Sequence, residues 1–481
     1  MRRTSTALLV SALGGLLLLA THLWQAPIPI TNAAVSAGYT DFSFFYAAQG
    51  TSSPDIVQAP TAEKVQSKLW YNDGRWWGSL FNNDPSIHAY HIYWLNQANQ
   101  QWVDTGTALD SRPQTRADAL WDGTHLYIAS GGVVTTTAQL DGVLFRYSYN
   151  SAAHQYTRDF GPITVRTGGA KAIVIDKDTT GKLWITYVQN NQVWVSHSLN
   201  SDSSWGAPFV LPVAGTSVTS EDISSLIAFD GKIGVMWSNV ATGGFYFATH
   251  VDGDPDTTWT SSIVTSQPGL ANDHINLKTL PSDPSGTIFA AIKTKFTTPA
   301  HPATDPQIEL LVGKKQADGT LAWSSIPVSD IAETQTRPIL LIDTDNRQLY
   351  IFSSTTDGGA VWYKSASLDH LQFDPTTKGT LLIRNPSYPF VGNVTSTKQN
   401  LNSITGIVAL ASYDNSFKGY PGSPATDVYF HNVIALGAPA PTATATPTTT
   451  PTTTPTATPA ATPTPAGANG GVRIDLPLIR H

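Results

Sequence analysis

The chain has 481 residues, with 14 Trp, 17 Tyr and 17 Phe, many Gly and Pro, and only 13% charged residues. That length holds two or three ordinary domains or one large repeat architecture, and the composition suits short strands joined by tight turns, not helices with charged outer faces. A net charge of −7 without a basic patch argues against a nucleic-acid partner, and the absence of Cys excludes disulfides and Cys-based zinc sites.

The first segment, residues 1–37, opens with Met1-Arg2-Arg3, continues with an almost wholly apolar run over 7–20, and offers small residues at Asn32-Ala33-Ala34 or Val35-Ser36-Ala37. It reads as a signal peptide. The long stretch after the apolar run leaves a second reading open, an uncleaved N-terminal anchor, which is the one membrane contact expected. Either way the destination is extracellular or the cell envelope. Without this segment, which carries two arginines and no acid, the net charge is −9.

From residue 38 to 436 one pattern recurs: an apolar run, an Asp/Asn/Gly turn, then an aromatic or aliphatic run. It appears as Leu69-Trp70-Tyr71-Asn72-Asp73-Gly74-Arg75-Trp76-Trp77, then as Leu120-Trp121-Asp122-Gly123-Thr124-His125-Leu126-Tyr127. Further copies are Ile175-Asp176 through Leu183-Trp184, Phe229-Asp230-Gly231-Lys232-Ile233, and looser ones at 283–289 and 342–350. Each is a predicted hairpin, the Asp-Gly or Asn pair supplying positive φ and the β-branched and aromatic flanks a pleated surface. With starts at Val65, Arg116, Ala170, Asp222, Asp273 and Thr336, the period is roughly 50 to 60 residues, the length of a four-stranded propeller blade.

Further strands are expected at 91–95, 143–147, 192–197, 245–250, 308–312 and 360–364, with an incomplete last blade over 406–412 and 427–436. The strand at 41–46 is free to complete it and close the ring, which removes exposed sheet edges. The fold class is therefore all-β, a β-propeller of seven four-stranded blades. A pair of β-sandwiches explains the strands but not the single period.

Residues 437–470 form a Pro/Thr-rich linker, expected to be a disordered, extended stalk on the order of 100 Å long. In residues 471–481, Val472, Ile474, Leu476 and Leu478 alternate as in a strand with one apolar face, a candidate docking or sorting element.

The body resembles secreted, mostly uncharacterised bacterial proteins with a sialidase-like propeller. The likeness rests on Ser67-Lys68-Leu69-Trp70-Tyr71-Asn72-Asp73-Gly74-Arg75-Trp76-Trp77, Asp273-His274-Ile275-Asn276-Leu277-Lys278 and Thr336-Arg337-Pro338-Ile339. It implies the fold and no established activity. The Asp-box of true sialidases is not present in clean form, and neither their arginine triad nor their nucleophile pair can be placed here.

In a propeller the beginnings of the innermost strands converge at the mouth of the central channel. Here they carry Ser67, Lys68, Arg116, Asp118, Lys171, Glu221, Asp222, Asp273, His274, Asn276, Lys278, Arg337, Lys398 and Asn400. Alternation puts His274, Asn276 and Lys278 on one face. The plain structural reading is a solvated, salt-bridged ring. As a binding site, the mouth would take an extracellular glycan or exopolymer on Lys68, Arg116, Asp118, Lys171, Asn276, Tyr363, Lys398 and Asn400.

Hydrolysis would draw its two carboxyl groups from Glu221, Asp222, Asp118 and Asp273. Uronate elimination would use Arg337 or Arg116 to neutralise the sugar carboxylate and His274, Lys278 or Tyr363 as acid or base. A third reading is a monomeric scaffold for a cell-surface protein. Trp76, Trp77, Trp94, Trp121, Trp184 and Trp362 could stack on sugars but alternate with apolar neighbours as core residues do. No cofactor is expected; Asp252-Gly253-Asp254-Pro255-Asp256 and Asp343-Thr344-Asp345-Asn346 have the oxygen density for calcium, although such turns are commonly only solvated.

Overall fold

The computed structural model describes residues 38–44, 57, 59–61, 64–132, 140–281, 285–357, 359–413 and 426–438. The N-terminal segment, the linker beyond Ala438 and the C-terminal strand expected from the sequence lie outside these residues. Contacts group the chain into Met1–Pro439 and Ala440–His481, and the described residues all belong to the first unit.

Seven antiparallel sheets of four strands make up the described fold. Their first strands are Leu69–Asn72, Thr115–Trp121, Val174–Lys177, Ser224–Phe229, Ala271–Thr279, Gln335–Asp343 and Gly392–Thr395, in blades 1 to 7. The tight turns form where the sequence places them: Asp73 and Gly74 have φ of 52° and 72°, and Asp230 and Gly231 have 46° and 68°. A turn at Asn190–Asn191, also with positive φ at both residues, was not among the repeats read from the sequence.

Blade 7 is completed by the first strand of the chain. Tyr39–Ser43 pairs with Val428–Ile434, Tyr39 opposite His431 and Thr40 opposite Phe430. This seam carries a buried pair, His431 Nδ1 at 2.8 Å from Asp41 Oδ1, and His431 Nε2 reaches Gln100 Oε1 of blade 1 at 3.0 Å. The inner strand Gly392–Thr395 of this blade was not anticipated. It is short, irregular and weakly apolar, so alternation gave no signal.

Between blades the core is apolar and aromatic. Trp70, Trp76, Trp77, Trp184 and Trp237 are fully buried. Each indole N–H has a bond: Trp70 to Tyr156 Oη, Trp76 to the Thr405 carbonyl, Trp77 to Asn72, Trp184 to Asp178 and Trp237 to Gly215. Such rings each stabilise the fold by about 1.5–3 kcal/mol through burial, provided the polar edge is satisfied. Trp94, Trp121 and Trp362 are only partly buried.

Candidate functional site

Inner strands of a propeller each turn one edge of unpaired N–H and C=O groups toward the axis, and these groups need partners. Side chains of the neighbouring blade supply them. Asp118 accepts from the Ser67 amide at 2.8 Å on one side and from the Ile175 amide at 2.9 Å on the other. Asp176 accepts from Ala228 at 2.9 Å, and Asn276 from Leu340 at 2.9 Å. Lys68 donates to the Ala117 carbonyl at 2.5 Å. Burial pushes the Lys68 amine down to about 7, against the pull of Asp118.

Beyond Thr395, residues 397–401 run beside the inner strands of blades 1 and 6, with parallel bridges from Thr397 to Leu69 and from Leu401 to Asp343. Lys278 Nζ donates to the Thr397 and Lys398 carbonyls at 2.7 and 2.6 Å, and Asn400 Nδ2 to Thr279 at 2.9 Å. Lys398 Nζ crosses to Asp118 Oδ2 at 3.0 Å. Gln399 pairs through its amide with both backbone groups of Tyr71, and the Leu401 amide donates to Ile342. Thr279, Tyr71 and Ile342 lie toward the far ends of their strands, so this crossing segment forms a base opposite the mouth. The mouth is a cup.

At the rim, the strands of blades 5, 6 and 7 begin irregularly. Pairing slips between Ala271 and Ile275, between Thr336 and Ile339, and between Gly392 and Thr395. Arg337 and Asn393 within these slips both have φ of 56°. Bulges of this kind re-aim side chains and recur beside functional sites.

The slip in blade 5 sets out Asn272, Asp273 and His274. Asp273 Oδ2 takes Lys64 Nζ at 2.7 Å and Lys171 Nζ at 3.2 Å, and its Oδ1 lies 3.1 Å from His274 Nδ1. Burial would raise the Asp273 carboxyl, but His274 and Lys64 outweigh it and hold the group well below the carboxylate range. Lys171 also donates to the Glu221 carbonyl at 2.8 Å, and Lys295 holds the Glu221 carboxylate at 2.8 Å. Lys171, Glu221, Val240, Asn272, Asp273 and Lys295 line a cleft open to solvent. His274 is pushed down to about 3 by burial and by the positive charges of Lys64 and Arg337, so its imidazole is neutral near neutral pH. Lys293 is lowered too, by burial first and then by Arg337 and Lys64. Five cationic side chains thus surround Asp273 and Glu221.

The candidate residues fall into three groups. Lys171, Glu221, Asp273, His274 and Arg337 meet at the mouth. Lys68, Asp118, Asn276, Lys278, Lys398 and Asn400 have polar atoms committed to bonds between inner strands, and Arg116, buried near Lys68, lies beside them. Asp222 is also committed, to the Thr219 amide and hydroxyl, the Ser238 hydroxyl and the Val240 amide. Tyr363 stands apart: it is on the third strand of blade 6, Val361–Ser367, with its ring 5.5 Å from Phe352 and 6.0 Å from Tyr350. The shared face of His274, Asn276 and Lys278 is present, with Ile275 and Leu277 turned into the apolar core.

Lys64, Lys293 and Lys295 escaped the sequence reading because they come from the segment before blade 1 and from the second strand of blade 5. Two alternating cations at the end of a strand, in Ile292-Lys293-Thr294-Lys295, were the available signal. Among the described residues no three His, Asp or Glu side chains are placed to share a metal ion. In the turn at Asp343, its carboxylate accepts from Asn346 and the Asp345 amide, while Asp345 holds Ser403. In the other turn, Asp252 accepts from the amide and hydroxyl of Thr179.

The chain is a seven-bladed β-propeller. No protein-family model and no curated protein sequence matches it. Solved structures do. An uncharacterised protein of Dyadobacter fermentans matches at 11% identity and TM-score 0.41, covering 67% of this chain and all of that one. The periplasmic gluconolactonase of Pseudomonas aeruginosa matches at 10% identity and TM-score 0.43, covering 61% of this chain and 83% of the enzyme. NanB sialidase of Streptococcus pneumoniae matches at 12% identity and TM-score 0.31 over 61% of this chain and 48% of that one. At such identities and scores these likenesses assign the chain no activity.

Proposed function

We propose that this is an exported propeller, outside the cell or in its envelope, that binds an extracellular glycan or exopolymer in the cup at the channel mouth. The observation that carries the reading is the open cleft of Lys171, Glu221, Asp273 and Lys295, whose paired charges are joined by the further cations Lys64, Lys293 and Arg337 around Asp273. A cup with surplus positive charge and fixed hydrogen-bonding groups suits an anionic or hydroxyl-rich polymer.

Binding accounts for the site better than turnover. Glycosidic hydrolysis needs a carboxylic acid that keeps its proton. At the mouth, Asp273 is held ionised by its cationic neighbours, and Glu221 is lowered by its bond to Lys295. Elimination needs a base that works near neutral pH. His274, depressed to about 3, is a weak one.

A glycan and exopolymer array probed with the full-length chain tests the reading. Binding of a polymer that is lost in the Lys171→Glu/Lys295→Glu double variant, with the melting temperature kept, is the expected outcome. Failure to bind any polymer, or binding that the double variant retains, contradicts it.

A further inference from the structure

The seam that closes the ring is held by a histidine set between two hydrogen-bond acceptors. His431 Nδ1 lies 2.8 and 2.9 Å from the two carboxylate oxygens of Asp41, and Nε2 lies 3.0 Å from Gln100 Oε1. The Gln100 amide cannot turn round to donate instead, because its nitrogen already donates to the Gln97 carbonyl at 2.8 Å. His431 Nε2 therefore carries a hydrogen, and a second hydrogen lies between Nδ1 and Asp41. The closed seam thus holds one proton more than a neutral histidine beside an ionised aspartate, whichever atom of the pair keeps it.

Nothing nearby can take this proton's place. The His431 side chain has no exposed surface, and that of Asp41 is 3% exposed. Among the described residues no other charged side chain lies within ion-pair distance of either; Tyr39 stacks on the imidazole at 5.0 Å and Trp102 meets it edge-on at 6.0 Å. Burial pushes the Asp41 carboxyl up, and His431 pulls against it. Without the proton, either a buried carboxylate or the Gln100 oxygen faces a bare ring nitrogen, lone pair against lone pair. His197 also sits between two acceptors, the Ser198 carbonyl and Asp256, but Asp256 is half-exposed and water can serve there.

We propose that this pair is a proton-operated latch on ring closure: the proton shared by His431 and Asp41 holds the first strand of the propeller against blade 7, and its loss loosens that strand. Position gives the latch its reach. Asp41 and His431 join Tyr39–Ser43 to Val428–Ile434, and Gln100 ties both to blade 1. The first strand, the last strand and the first blade therefore meet at one proton.

Proton counts set the direction. A solvated aspartate takes up a proton only below about 3.9, and a solvated histidine gives its own up above about 6.5. Between these values the open and closed seams hold one proton each, and the latch is tightest. Above about 6.5 only the closed seam keeps the proton, so closure weakens as pH rises, by at most about tenfold per pH unit for a single proton. Below about 3.9 the open seam takes up a second proton, and closure weakens there too.

The test is hydrogen exchange of the full-length chain from pH 6.5 to 9, expressed as protection factors so that the pH dependence of the exchange chemistry drops out. Protection in Tyr39–Ser43 falls about tenfold or more over that range, relative to Lys232–Asn239 in blade 4. In Asp41→Asn the fall disappears, because the new amide donates to Nδ1 of a neutral imidazole whose Nε2–H still reaches Gln100. In Gln100→Met the fall shrinks, since Nε2 no longer faces an acceptor and needs no hydrogen. Should Asp41→Asn fail to close at any pH, Gln100→Met decides alone. Protection that stays level in the parent, or that falls as far in the variants as in the parent, overturns the latch.

Discussion

Arg337 has φ of 56° and is followed directly by Pro338, a backbone state that costs a long side chain about 1 kcal/mol or more and that Asn or Gly adopts more readily. Strain held at a rim residue indicates that its direction matters more than its comfort. Arg337→Asn should therefore lose affinity for the mouth ligand while its melting temperature stays within a few degrees of the parent. A large loss of stability would show that the arginine is chiefly a structural brace. Asp118 is the opposite case: it bonds two amides and Lys398, and its side chain is wholly buried. Asp118→Ala should cost about 3 kcal/mol or more in urea unfolding, since it strands a cation and two N–H groups together. Both residues were legible as polar positions at strand beginnings. Their difference was not, because it depends on which amide of the next blade lies opposite each side chain. That register between blades leaves no periodic mark in the sequence.

At the scale of elements, the hairpins were the most legible feature, since Asp-Gly turns and aromatic flanks are local signals. Residues 192–197 and 245–250 are strand as expected, and the latter run extends to Gly244–Val251. Elements held by distant partners were harder. Gly392–Thr395 takes its place through the strand Ile407–Tyr413, and the crossing segment that follows through bonds to blades 1, 2, 5 and 6. Ring closure was anticipated, but its buried His431–Asp41 pair was not. Asp41→Ala leaves His431 enclosed without its anion, and hydrogen exchange should speed up in Tyr39–Ser43 and Val428–Ile434 while Val174–Lys177 stays protected. Uniform acceleration around the ring would mean that closure is not the seam that opens first.

Across the whole molecule, the buried bases set the pH response. An unfolded histidine titrates near 6.5, whereas His274 in the fold does so at about 3. Between these values the unfolded chain binds the proton that the fold refuses, so stability falls as pH drops from about 6.5 toward 3. His274→Gln should flatten that limb of the stability curve between pH 6.5 and 4. Lys68 and Lys278, depressed to about 7 by burial, act on the alkaline side. The unfolded chain keeps their protons up to about 10.4, so their cost to stability shrinks as pH rises above 7. A chain whose stability is flat from pH 4 to 9 would contradict this picture.

The propeller as a whole was readable because a period of one blade repeats across the chain. The mouth was only partly so, since five of its polar groups lie at or just before strand beginnings while Lys64, Lys293 and Lys295 come from elsewhere in the chain. The most direct test of the account is a hydrogen-exchange footprint of the full-length chain with and without a bound polymer. Protection at 169–173, 219–223, 271–275 and 335–339, the rim of the cup, is the expected result. Protection confined to the turns at 72–75, 229–232 and 343–348, on the opposite face, would place the ligand elsewhere and contradict it.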